Sequence, residues 1–236
     1  MRRWSRASST SAITQSGSTS RCSSGRRCAC CPVTAGRKNG RGRHSVNASQ
    51  YITSLQPMLA GLAGEDLVRV ESVLLRARSE GRMIFIIGNG GSAATASHMA
   101  NDLNKGAAVP GQPRFRALAL TDNVPLITAW ANDTHYGNIF VEQMANFFEP
   151  GDVLVAISGS GNSPNVITAV EWAARNGAVT IGFTGGDGGR LRHVVDCPVV
   201  VPSNRMEQIE DMHLILAHAL CVSLRAQIAA EAVLAG

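Results

Sequence analysis

Two glycine- and hydroxyl-rich loops hold the side chains best suited to binding an anion. The first, Gly88-Asn89-Gly90-Gly91-Ser92, follows the apolar run MIFIIG and precedes the helical stretch SAATASHMA. Glycines there let the backbone approach a ligand, and a helix start offers N–H groups with no partner inside the helix. The second, Ser158-Gly159-Ser160-Gly161-Asn162-Ser163, again joins an apolar run to a helix. Ser158, Ser160 and Ser163 add three hydroxyl donors at a positive helix end, a chemistry that fits one phosphate. An ordinary Ser-rich turn opening a helix at Ser163-Pro164 would use the same residues. Nucleotides fit worse. The first loop reads G-x-G-x-x-A, and the acid at the next strand end, Asp122, comes about 30 residues on rather than ~20. No G-K-[ST] follows either loop, so no nucleotide cofactor is expected. The third loop, Thr184-Gly-Gly-Asp187-Gly-Gly189, reads as a tight turn with Asp187 as its cap.

Acid–base groups fall on helices. His98 and Asp102 are four residues apart and share a helix face. Glu210, Asp211, His213 and His218 lie together near the C-terminus. His218 is offset by about 20° around a helix axis from Asp211 and by about 80° from Glu210, so spacing alone pairs it with Asp211. Either histidine, in a run such as LILAHAL, could equally be a core residue.

The elements that must position these groups are readable. Apolar residues from Tyr51 to Arg82 recur at helical spacing, with a break at Gly64 that predicts two helices. Apolar runs at 83–88, 116–120, 152–158 and 178–184 predict strands, and CPVVVP at 197–202 predicts an edge strand. Helical stretches are expected at about 92–105, 125–131, 138–148 and 163–176, with the longest at about 204–228. This alternation predicts an α/β three-layer sandwich around a mostly parallel, flavodoxin-like sheet. In such sheets ligands gather beyond the carboxyl ends of the strands, where the polar loops fall.

The chain has 236 residues and a formal charge of +5, but the charge is unevenly spread. Residues 1–46 hold nine Arg, one Lys and no acid, while residues 47–236 hold twelve basic and seventeen acidic side chains. The body is therefore acidic at −5, which argues against a nucleic-acid partner for it. Residues 1–46, rich in Ser, Gly and Arg, read as a disordered tail, either a targeting segment or a mis-assigned start. Residues 47–236 read as one domain. Four Cys crowd the tail without zinc spacing, and Cys197 and Cys221 sit in apolar surroundings, a pattern that predicts a reducing, cytoplasmic setting. No apolar run reaches the ~20 residues of a membrane span, so no membrane partner is expected.

GNGGSA, ALTDN, Ala131-Asn132-Asp133, ISGSGNSPNVITAVEWAARNGAVTIGFTGGDGG and EQIEDMHLILAHAL together resemble the sugar isomerase (SIS) domain, in particular its phosphoheptose isomerase branch. The resemblance covers about residues 50–228. It implies a homotetramer with sites between subunits and interconversion of sedoheptulose 7-phosphate with D-glycero-D-manno-heptose 7-phosphate. It places Ser158, Ser160 and Ser163 on the phosphate, with Asn89, Gly90, Ser92, Asp133 and Glu210 also lining the substrate site. Asp102 falls where the family has a Glu base, and His218 where it has a histidine acid. Some members hold zinc with two His, the Glu and a Gln, which map to His98, His218, Asp102 and Glu210. The resemblance thus prefers Glu210 over Asp211, as a bend in a long helix would allow.

Three departures stand out. Asp102 is one methylene shorter than the family's Glu, Glu210 adds a charge where the family has Gln, and Gly159 replaces a Thr. A zinc-bound Asp102 would also be a weak ligand or leave the base role to another group. The second function class is a non-catalytic SIS module that binds a phosphosugar or a protein partner.

Overall fold

MIFIIG forms β1 (Met83–Gly88), and alternate side chains along it serve opposite faces of one sheet. Ile84 and Ile86 enter one apolar cluster, Phe85 and Ile87 the other, all fully buried. A strand buried on both faces must be apolar throughout, which is why the run lacks polar alternation. The computed structural model describes residues 47–62 and 64–234. The expectations for residues 1–46 lie outside the described residues.

β2 (Arg116–Ala119), β3 (Val153–Ser158), β4 (Val179–Gly185) and β5 (Cys197–Val201) join β1 in a five-stranded, all-parallel sheet of order β2-β1-β3-β4-β5. β5 is an edge strand, as its Pro198 requires. The order reverses between β1 and β3, so the loops after these two strands leave the sheet at its switch point.

α1 (Ala48–Gly61) and α2 (Glu65–Ser79) precede the sheet. Asn47 starts α1 with a capping box, its side chain accepting from Gln50 N at 2.9 Å while Gln50 Oε1 accepts from Asn47 N at 2.9 Å. α2, α3 (Gly91–Asn101) and α8 (Met206–Leu234) cover one face, contributing Val70, Leu74, Ala96, Met99, Leu216 and Leu224 to its core. On the other face α6 (Pro164–Arg175), α5 (Val141–Met144) and α7 (Leu191–Val194) pack Val166, Val170, Met144 and Leu191 against Phe85 and Leu154. The three-layer α/β sandwich follows.

Two stretches differ from a simple helical reading. Residues 138–148 form a 3₁₀ turn at Tyr136–Asn138 and the single turn α5 instead of one helix. Buried Gln143 turns its amide to the Ile139 and Leu120 carbonyls, and Pro150-Gly151 leads directly into β3. The stretch 92–105 ends α3 at Asn101 and continues as a π-helical turn, Asp102–Gly106, in which Ala107 N donates to Asp102 O at 2.8 Å. α8 is long and apolar enough to cross a membrane by length and composition. Its Ile209, Met212, Leu216, Leu220 and Leu224 are buried against the sheet at helical spacing, which identifies it as a core helix.

Candidate active site

The first end of the site is a cleft of about 250 Å³ at the carboxyl ends of β1 and β3, lined by Asn89, Gly90, Gly91, Ser92, Ser158, Ser160, Ser163, Met206 and Glu210 among others. Ser163 is the N-cap residue of α6, just before Pro164, but its side chain makes no capping hydrogen bond. Its hydroxyl lies 3.2 Å from that of Ser158, so both face the same space as the helix start. Hydroxyls, loop N–H groups and two helix N-termini converge there, an arrangement suited to a small anion. Among the described residues no Lys or Arg lines the cleft, which offers donors and helix dipoles.

Glu210 reaches this cleft from α8. A Cβ on Gly91 would overlap its carboxylate, so the absence of a side chain at 91 is what admits the acid. Asp211 turns the other way and accepts a hydrogen bond from Tyr51 Oη at 2.6 Å on α1, which pushes the Tyr51 pKa up to about 12. The geometry therefore parts the two acids, Glu210 facing the cleft and Asp211 facing α1, and neither joins His218 in its cluster.

The second end lies farther along α3 and α8, where His98, Asp102 and His218 bring one ligand atom each within 4.8 Å of one another. The two imidazole Nε2 atoms are 2.8 Å apart, with rings nearly perpendicular at a centroid distance of 4.8 Å. Asp102 Oδ2 stands 3.4 Å from His98 Nε2 and 3.8 Å from His218 Nε2, and it is buried without a hydrogen-bond partner. An unpartnered carboxylate oxygen facing two imidazole nitrogens is a donor set that fits zinc. Glu210, the fourth ligand implied by the resemblance, is not in this group.

The π-turn sets where Asp102 sits. Cys221, three residues past His218 on α8, puts Sγ 2.7 Å from where a Gly106 Cβ would be and 3.6 Å from Asp102 O. A side chain at 106 would displace the Cys221 thiol from its place over the turn. Burial pushes the Cys221 thiol up, with the Asp102 charge acting the same way. Two residues fall elsewhere. Asp133 is exposed at the end of α4 (Val124–Asp133), accepting from Asn132 Nδ2 at 2.8 Å, and does not line the cleft. His213 is fully buried, with Nε2 3.3 Å from Thr184 O, and burial holds its pKa down at about 4.

Three contributors were not foreseen. Met206 lines the cleft, and its sulfur occupies the space that a side chain at Gly159 would need, so these two residues fit each other. Asn165 and Tyr136 hold the side chain of Asn89. The pattern of Gly159 could have signalled the first, since a loop losing a side chain leaves room for another. Nothing in residue type marks Asn165, the second residue of a helix, as part of a site.

The SIS domain family pattern matches residues 50–185. The chain is 38% identical over 163 residues to the phosphoheptose isomerase of Akkermansia muciniphila, covering 69% of this chain and 85% of the relative. With that of Rhodospirillum rubrum it shares 43% over 144 residues, 61% of this chain and 76% of the relative. The solved phosphoheptose isomerase of Neisseria gonorrhoeae superposes with a TM-score of 0.69 at 33% identity, covering 75% of this chain and 94% of that one. Strand order, loop positions and these likenesses agree: the chain belongs to the SIS domain family, on its phosphoheptose isomerase branch.

Proposed function

We propose that this enzyme interconverts sedoheptulose 7-phosphate and D-glycero-D-manno-heptose 7-phosphate, binding the phosphate at the β1–β3 cleft and reacting at the His98–Asp102–His218 cluster. The observation that carries the reading is the pairing of a hydroxyl-lined cradle, into which α3 brings Ser92 and α8 brings Glu210, with an acid–base cluster farther along those two helices. His98 lies seven residues beyond Gly91, about 10 Å along α3. An acyclic phosphorylated ketose has its phosphate at one end and its carbonyl near the other, as this separation requires.

Ser158, Ser160 and Ser163 donate to the phosphate, with Asn89, Gly90 and Ser92 closing the other side. Aldose–ketose exchange moves a proton between adjacent carbons through an enediolate. Asp102 takes that proton as base, and His218 exchanges protons with the neighbouring oxygens as acid. His98 holds the imidazole of His218 in place through their Nε2 contact. In a zinc-loaded form His98, Asp102 and His218 would instead be the ligands, the ion would supply Lewis-acid polarisation of the sugar carbonyl, and Asp102 would be a weak ligand or leave the base role to another group. Asp102 Oδ1 faces Gly106, so Oδ2 is the atom that serves the cluster.

The working unit is a homo-oligomer, read as a tetramer, with sites between subunits. No residue of α4 is buried, and Val124 there is 60% exposed. Beside His218, Ile215, Ala219 and Val222 form a bare apolar hollow on α8 that a second copy would cover. The two described cysteines, Cys197 and Cys221, are buried free thiols, which suits a reducing cytoplasm.

The test is turnover of sedoheptulose 7-phosphate by purified protein, with and without added zinc, beside light scattering for mass. Conversion to the aldose by a particle of four chains is expected. Binding of phosphosugars with no turnover of any of them overturns the enzymatic reading in favour of a sensing module.

A further inference from the structure

The two loops of the cradle come from different strands, yet one pair of side chains ties them together. Asn89 stands in the loop after β1, and Asn165 in the first turn of α6 after β3. Their amides bond reciprocally, with Asn89 Nδ2 donating to Asn165 Oδ1 at 2.9 Å and Asn165 Nδ2 donating to Asn89 Oδ1 at 2.9 Å. Tyr136 Oη donates to the same Asn89 Oδ1 at 3.0 Å. Asn165 is only 2% exposed, whereas Tyr136 is 54% exposed, so a buried arm and a surface arm grip one oxygen.

This contact pattern decides which end of the Asn89 amide is free. A carbonyl oxygen has two lone pairs, and both are engaged. The amide nitrogen has two N–H groups, and Asn165 takes only one. Turning Asn89 alone would set its N–H group against the Asn165 N–H, so the two amides hold each other in a matched orientation. In that arrangement Asn89 Oδ1 is engaged twice and one Asn89 N–H is left over beside the cleft that the residue lines.

We propose that Asn165, with Tyr136 as a second arm, is a positioning residue that locks Asn89 with its N–H toward the phosphate and fixes the spacing of the two cradle loops. The proposal rests on the phosphate reading of the cleft. The unprotonated oxygens of a phosphate only accept, so a free-turning Asn89 would present its oxygen to them part of the time and repel them. Preorganised donors bind more tightly because no reorientation is needed on binding.

The test measures inorganic phosphate and sedoheptulose 7-phosphate binding by calorimetry in full-length Asn89→Ala, Asn165→Ala, the double variant, Asn165→Asp and Tyr136→Phe, with turnover alongside. Asn165→Ala is expected to weaken phosphate by ~10-fold, and Tyr136→Phe by ~3-fold, in line with hydrogen bonds serving a charged ligand. Because the phosphate is held alike in ground and transition states, KM should rise while kcat stays. The double variant should bind as Asn89→Ala does, since Asn165 acts through Asn89. Asn165→Asp is nearly isosteric and covers the case in which Asn165→Ala does not fold. It keeps an acceptor for Asn89 Nδ2 but loses the donor to Oδ1, and should weaken phosphate at least as much as Asn165→Ala. If Asn89→Ala binds phosphate normally, the cradle reading itself falls and the proposal with it. If Asn89→Ala weakens binding but Asn165→Ala and Asn165→Asp do not, or if the losses add in the double variant, the lock alone is overturned.

Discussion

The inner and outer faces of α8 carry one histidine each, and their surroundings are opposite. His213 is fully buried beneath the end of β4, its ring 6.0 Å from that of Phe183 and its Nδ1 without a partner. His218 has 53% of its side chain exposed and meets His98 and Asp102 across the groove between α8 and α3. The core needs its imidazole neutral and still. The proposed mechanism asks the exposed one to exchange protons. The same residue type serves both ends because burial, not sequence neighbourhood, sets whether the charged form is tolerated.

The largest effect expected from this contrast is on turnover. His218→Ala should lower kcat by ~10³-fold, within the range for removal of a general acid–base group, with melting temperature and phosphate affinity nearly unchanged. Steady-state kinetics and calorimetry on the same preparation check it. A variant that lost folding and phosphate binding together would show that His218 belongs to the core after all, and the contrast would disappear.

His213 should act through stability instead. Its folded pKa of about 4 lies below the ordinary 6.5, so the folded chain refuses a proton that the unfolded chain accepts. Its contribution is full above pH 6.5, is lost as pH falls toward 4, and changes no further below that. The loss amounts to about 3 kcal/mol across this window. Urea unfolding at several pH values should show that slope in the natural chain. His213→Gln keeps a donor for Thr184 O and should flatten the curve by that amount. An unchanged slope in the variant would mean that His213 titrates normally in the fold.

The two histidines also show what a sequence can and cannot reveal. His213 lies four residues after Ile209 and three before Leu216, on the buried stripe; His218 falls two past Leu216, off it. Residue type does not separate them, because Ile215, Ala219 and Val222 make the exposed side of α8 apolar too; the strands are legible, since their all-apolar runs can be buried only between two helical layers. The His98–Asp102 pair is legible too, because four-residue spacing survives the onset of the π-turn. Glu210 is not, because its direction depends on Gly91, a residue 119 positions away in another loop. The hold of Asn165 on Asn89 is hidden for the same reason: it exists only once two parallel strands set their loops side by side.

Glu210 offers the smallest test, and one that joins the two ends of the site. Its carboxylate lies in a cleft whose other lining groups are hydroxyls, the Asn89 amide, backbone and apolar atoms, with no cation among the described residues that line it. A negative charge there opposes the phosphate that the cradle otherwise favours. Glu210→Gln keeps the shape that Gly91 admits and removes the charge. Phosphate affinity should then rise by ~5-fold, about 1 kcal/mol, as expected for like charges a few ångströms apart in a partly solvated cleft. Added salt should shrink the gain, because screening already weakens the repulsion in the natural chain. Zinc titration of the same variant separates the alternatives. If Glu210 serves only the cradle, zinc affinity stays as it was and phosphate binding tightens. If zinc affinity falls instead, Glu210 swings from the cradle to the His98–Asp102–His218 cluster when the ion binds, and the cradle and the cluster are coupled through one side chain.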